Sequence, residues 1–155
     1  VQCAHAVCGP DVKKYMIRTI VTTLGLHCAP SFALAKSCTD LDAVAAEREA
    51  ATLDDWRSVY QSFKKYSACD DASISEGYSA SVARLMASEW ESFGLLSRLA
   101  NQDRGFAHFV IKHIDETWSP KEAILVQANA INRCPAKARR FCERVLVAIA
   151  DAHKY

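Results

Sequence analysis

Apolar side chains recur every three or four positions through nearly all of residues 52–152, and strict alternation is missing. That period predicts helices rather than strands. Trp56, Val59, Tyr60 and Phe63 fall at i, i+3, i+4 and i+7, one stripe of a helix whose start is marked by Thr52 with Asp55. Val82, Leu85, Met86, Phe93 and Leu96 trace the inward face of the next, with Trp90 near its edge. Ser73 with Glu76 has capping-box spacing for its start, and Ser75 or Ser79 offers a second one. Gly94 is its expected weak point, since glycine costs about 1 kcal/mol against alanine inside a helix. Phe106, Phe109, Val110, His113 and Ile114 mark a further helix beginning at Asp103.

The clearest boundary is Ser119-Pro120-Lys121-Glu122, which joins a capping hydroxyl, a proline for the first turn and a reciprocating glutamate. Ile124, Ala128 and Ile131 form the stripe behind it, expected to face inward. Pro135 is expected to open the last helix, with Ala138, Phe141, Cys142, Val145 and Ile149 as its inward face. A short helix over about 41–50 follows from Asp40 and the alanine-rich stretch behind it. The expectation is an all-α, compact, disulfide-linked bundle of five or six helices.

Residues 1–15 carry no such period. From Met16 the stretch MIRTIVTTLGLHCAPSFALAK has the layout of a secretory signal: Arg18 near its start, an apolar run, then Ala33-Leu34-Ala35. The reading is therefore an extension and signal peptide over 1–35, starting at Met16 and cut after Ala35, and a single helical domain over 36–155. The apolar run is interrupted by His27, Cys28 and Pro30, and falls short of the roughly 20 residues that a spanning helix needs. The residues preceding Cys28 and Cys38 fit a lipid-attachment site poorly.

Composition adds the cysteines. Of seven, four remain after Ala35: Cys38, Cys69, Cys134 and Cys142. An even number in an exported chain reads as a disulfide framework. Cys134 and Cys142, if both lie on one continuous helix, are about 12 Å apart at about 1.5 Å rise per residue, too far to bond. That leaves 38–134 with 69–142, or 38–142 with 69–134, either of which fastens the last helix to the earlier chain. Spacings of 31, 65 and 8 positions lack the close pairs of a zinc site. Charge is nearly balanced, at 19 basic against 18 acidic side chains, which gives no electrostatic case for nucleic acid.

Catalytic motifs are missing: no HExxH, no GxSxG and no glycine-rich phosphate loop. No cofactor or metal is expected. His113 falls on an apolar stripe and reads as a core histidine, on a different face from His108. Adjacent acids such as Asp54-Asp55 and Asp115-Glu116 read as solvated or first-turn charges. The least ordinary group is Asp70 and Asp71 beside Cys69, with Ser73, Ser75 and Glu76 following, a candidate partner-binding segment held next to a bridge. Arg139, Arg140 and Arg144 read as a solvated helix face.

A leader-bearing helical chain, with CDD before an SEGYS-type helix start and cysteines near its end, resembles small proteobacterial periplasmic proteins. Among these it is similar over roughly residues 54–146 to the helical immunity proteins of type VI secretion, the Rap1a/Tai family. The resemblance implies a periplasmic, often dimeric, non-enzymatic inhibitor that blocks a cell-wall amidase toxin with a protruding loop, and 68–78 is the expected segment. Two other classes compete. One is a small envelope hydrolase using Asp70, Asp71 or Glu76 as acid and base, which requires a pocket around them and a raised pKa. The other is a structural envelope protein or a helical pocket for an apolar ligand.

Overall fold

The computed structural model describes residues 37–154; the expected signal peptide and its cleavage site lie outside them. Among the described residues all regular structure is helical: α1 (Asp40–Ala50), α2 (Trp56–Tyr66), α3 (Ala72–Ser88), α4 (Phe93–Gln102), α5 (Arg104–Lys112), α6 (Pro120–Asn132) and α7 (Arg139–Ala152). Short 3₁₀ turns at Ser67–Cys69, Trp90–Ser92 and Ala136–Ala138 join some of them. None of these helices is long and apolar enough to cross a membrane.

Long α3 is the element around which the others assemble, packing on α1, α2 and α6. Gly77 permits the closest of these contacts: a Cβ there would lie 2.9 Å from the Ala50 Cβ and 3.1 Å from the Ala51 nitrogen. One turn on, the buried Ser81 hydroxyl donates to the Ala50 carbonyl at 2.6 Å and satisfies the end of α1. A second layer, α4, α5 and α7, closes over Phe93, Phe106 and Phe141. Tyr60, Phe63, Phe106 and Phe109 pack ring against ring, with centroids 4.9–6.3 Å apart.

Several boundaries fall where the sequence places them. Ser119 and Glu122 form the reciprocal capping box of α6, with Pro120 at its first position, and Asp103 accepts from the Gly105 and Phe106 nitrogens to cap α5. Others shift. Asp55, not Thr52, caps α2, because its carboxylate reaches the Arg57 and Ser58 nitrogens. Asp71, not Ser73, Ser75 or Ser79, caps α3. The chain breaks at Glu89, ahead of Gly94, where Trp90 turns inward to donate to the Arg133 carbonyl at 3.0 Å.

Two expectations are overturned. The bridges are Cys38–Cys69 and Cys134–Cys142, so neither fastens α7 to the first half of the chain. Cys134 is not on the helix that carries Cys142. Pro135 is extended, a 3₁₀ turn follows, and α7 begins only at Arg139, which folds the two Cα atoms to 6.3 Å. The second reversal concerns α6. Ala123, Val126, Asn129 and Ala130 face inward, while Ile124, Ala128 and Ile131 face out, Ile124 at 67% and Ile131 at 62% exposure.

Candidate functional site

Asp70 follows Cys69, which is buried and bridged to the residue before the cap of α1, so the backbone here is held from both sides. Its carboxylate therefore turns inward rather than to solvent. Oδ2 meets the Lys112 Nζ at 2.9 Å and the His113 Nε2 at 3.2 Å, and the Asp70 side chain is only 8% exposed. His113 ends α5 with no exposed surface, its ring against Phe109 and Tyr78 and its carbonyl accepting from the Trp118 indole at 2.8 Å. Nδ1 lies 3.1 Å from the Ser79 hydroxyl, which donates to Asp115 Oδ2 at 2.6 Å. Asp115 in turn accepts from the Thr117 nitrogen and hydroxyl.

Carboxylate, imidazole, hydroxyl and carboxylate thus form one chain through the interior. With both aspartates ionised, Nε2–H donates to Asp70 and the Ser79 hydroxyl donates to Asp115. The Nδ1 contact then forms a hydrogen bond only if Nδ1 also carries a proton. Protons on both ring nitrogens would satisfy all three contacts at once. A neutral ring leaves two lone pairs facing each other.

The ionised state of the acids agrees with their surroundings. Burial pushes the Asp70 carboxyl up, but hydrogen bonds from His113 and Lys112 and their positive charge outweigh it, and the pKa is lowered. Asp115 is likewise lowered: burial opposes, and Ser79 and Thr117 prevail. Asp70 Oδ1 is buried without a hydrogen-bond partner among the described residues.

A serine, a histidine and an aspartate in hydrogen-bonded series invite comparison with a nucleophilic triad. Burial argues against that use. Ser79 and His113 have no exposed surface, and the Ser79 hydroxyl gives its proton to Asp115 rather than to the imidazole. Nor does the acid–base pair expected of a hydrolase take shape, since Asp70 is held low rather than raised. Asp71 caps α3, Glu76 stands exposed on α3 at the rim of a small hollow, and neither touches Asp70.

The expected partner-binding residues divide accordingly. Ser73 donates to Glu47 of α1 at 2.9 Å, and Ser75 is half-buried on α3. The stretch is not a protruding loop but a 3₁₀ turn running into a helix. Asp70 and Asp71 spend their carboxylates on holding that junction together.

The chain matches no family model, no curated protein and no solved structure. Its site must be judged on its own surface.

There the outward stripe of α6 stands out. Ile124, Ala128 and Ile131, at i, i+4 and i+7, align along one side of the helix with Leu125 beside them at 42% exposure. Sequence reasoning saw this stripe and put it inside, because isoleucines outrank alanines as core candidates. The missed signal is that α6 is apolar on two sides, Ala123–Val126–Ala130 and Ile124–Ala128–Ile131. A helix that is apolar nearly all round, yet on the surface of a small bundle, has one face left over.

Proposed function

We propose that this chain is a non-catalytic, protein-binding domain that works outside the reducing cytoplasm and uses the outward face of α6 to engage a helix of its partner. The observation that carries this is the exposure of Ile124 and Ile131 a full two turns apart with small Ala128 between them. Large–small–large at i, i+4 and i+7 is the arrangement with which one helix seats another, the small residue allowing close approach. The scaffold beneath is held by two disulfides and a buried ionic chain, so that little ordering is required on binding. Disulfides of this kind persist in oxidising compartments, which fits the signal-like stretch before residue 36 and a periplasmic or secreted location. An inhibitor role, as of an immunity protein that neutralises a cell-wall-directed toxin, is the form of this function that the resemblance of the leader-bearing helical chain suggests.

The test uses the purified product of any adjacent gene encoding a cell-wall amidase. A nanomolar complex is expected by calorimetry, weakened at least about a hundredfold, some 2.7 kcal/mol, by Ile124→Asp together with Ile131→Asp. Equal affinity of the double variant and the parent overturns the assignment of the face. No complex with such a product overturns the inhibitor role.

A further inference from the structure

We infer that the groove between α7 and the α4–α5 corner binds an acidic peptide segment carrying a bulky apolar residue. The groove is a hollow of about 530 Å³, and three arginines line it: Arg104 from the start of α5, and Arg140 and Arg144 from successive turns of α7. Ala100, Ala107 and Phe141 line its apolar part, and none of the described residues lining it is a carboxylate. Arg104 and Arg140 form no ion pair or hydrogen bond with any described residue. The nearest acid in sequence, Asp103, is turned away to cap α5 and pair with Lys64. Arg144 is already oriented: its guanidinium stands 5.5 Å from the Phe141 ring centroid and donates to the Ala107 carbonyl at 3.4 Å. Three like charges around one hollow repel one another, and an anion placed among them relieves that repulsion.

Arg140 and Arg144 also border a second hollow of about 320 Å³, lined by Ile111, Val147 and Ala148 with Glu143 and Asp151. Val147 is 61% exposed there. The two acids repel anions from this end while the aliphatic side chains receive an apolar group, so the pair of hollows reads an acid run and then a large apolar residue. That order distinguishes a peptide from the other polyanions. Residues 37–154 hold 15 basic and 17 acidic side chains, so a nucleic acid laid across the molecule meets as much repulsion as attraction. Phe141, covered by Arg144, offers no free ring for a base to stack on.

The inference relies on the protein-binding reading only for the peptide's natural source, and its test is independent of α6. The probe is a fluorescein-labelled peptide in which a run of glutamates precedes leucine and phenylalanine, titrated into the full chain and read by anisotropy. Binding is expected to fall at least about tenfold in Arg104→Gln/Arg140→Gln and in a glutamine-for-glutamate peptide, and to persist in Arg139→Gln. The Ile124→Asp/Ile131→Asp variant is expected to bind the probe as the parent does, which separates the groove from the α6 face. Equal binding by the parent and the double arginine variant overturns the inference. So does displacement of the probe by inorganic phosphate or a single-stranded oligonucleotide at lower concentration than by unlabelled peptide.

Discussion

His113 concentrates more of this protein's physical logic than any other side chain. Fully buried and facing Asp70, Ser79 and, through Ser79, Asp115, it is the side chain that joins two interior carboxylates into one hydrogen-bonded chain. His113→Phe preserves ring packing on Phe109 and Tyr78 but leaves Asp70 with Lys112 alone and Ser79 with Asp115 alone. A loss of about 3–5 kcal/mol is expected by urea unfolding, in keeping with the removal of one partner from a buried ion pair. A loss under 1 kcal/mol contradicts a stabilising role for this chain of contacts. Ala72 offers the opposite case. It sits just after the Asp71 cap with φ at 44°, in the left-handed region where a Cβ is crowded. Ala72→Gly is expected to raise stability by about 0.5–1 kcal/mol despite glycine's greater unfolded freedom, because it removes that crowding.

At the scale of elements, the crossing of α1 over α3 depends on a hydrogen atom. Gly77→Ala drives a methyl to 2.9 Å from Ala50 and toward α1 backbone, which cannot yield as a flexible side-chain tip could. About 1–3 kcal/mol of destabilisation is expected in thermal or urea melts, with α1 separating first in hydrogen exchange. The two bridges act on different lengths of chain. Cys38–Cys69 closes 31 positions and Cys134–Cys142 only 8. On a chain-entropy account their removal costs about 3.7 and about 2.5 kcal/mol respectively. Replacing each cysteine pair with serines is expected to show that order, and the reverse order means native-state contacts rather than chain entropy dominate.

Across the whole molecule, pH couples to these interior acids. Asp70 and Asp115 both bind protons more weakly in the folded chain than at the ordinary carboxyl value of 3.8. The stability they contribute is therefore complete above that value and is lost as pH falls through their lower folded values. The helix-capping Asp55 and Asp103 are lowered too and add to the same slope, though Asp55 is exposed to screening and Asp103 partly so. A steep decline in urea midpoint below about pH 4 is expected, with a shallower slope in Asp115→Asn. An unchanged slope in that variant assigns the acid sensitivity elsewhere.

The helical class, the boundaries at Asp103 and Ser119-Pro120, and the inward faces of α2, α3 and α7 were all legible in residue order. Caps and periodicity are local, and the groups that satisfy them lie within a turn or two. What tertiary structure decided is whatever depends on where the chain reverses. Pro135 read as the opening of a helix, but only the packing of α6 on α7 shows that the chain turns first and brings Cys134 back to Cys142. Ser79, His113 and Asp115 become neighbours of Asp70 because α3, α5 and the Cys69 corner converge, and no spacing along the chain announces it. Periodicity finds both apolar sides of α6 equally well. Which of them is buried depends on what lies opposite, and α3 and α7 pack on α6 while its Ala123, Val126 and Ala130 face inward.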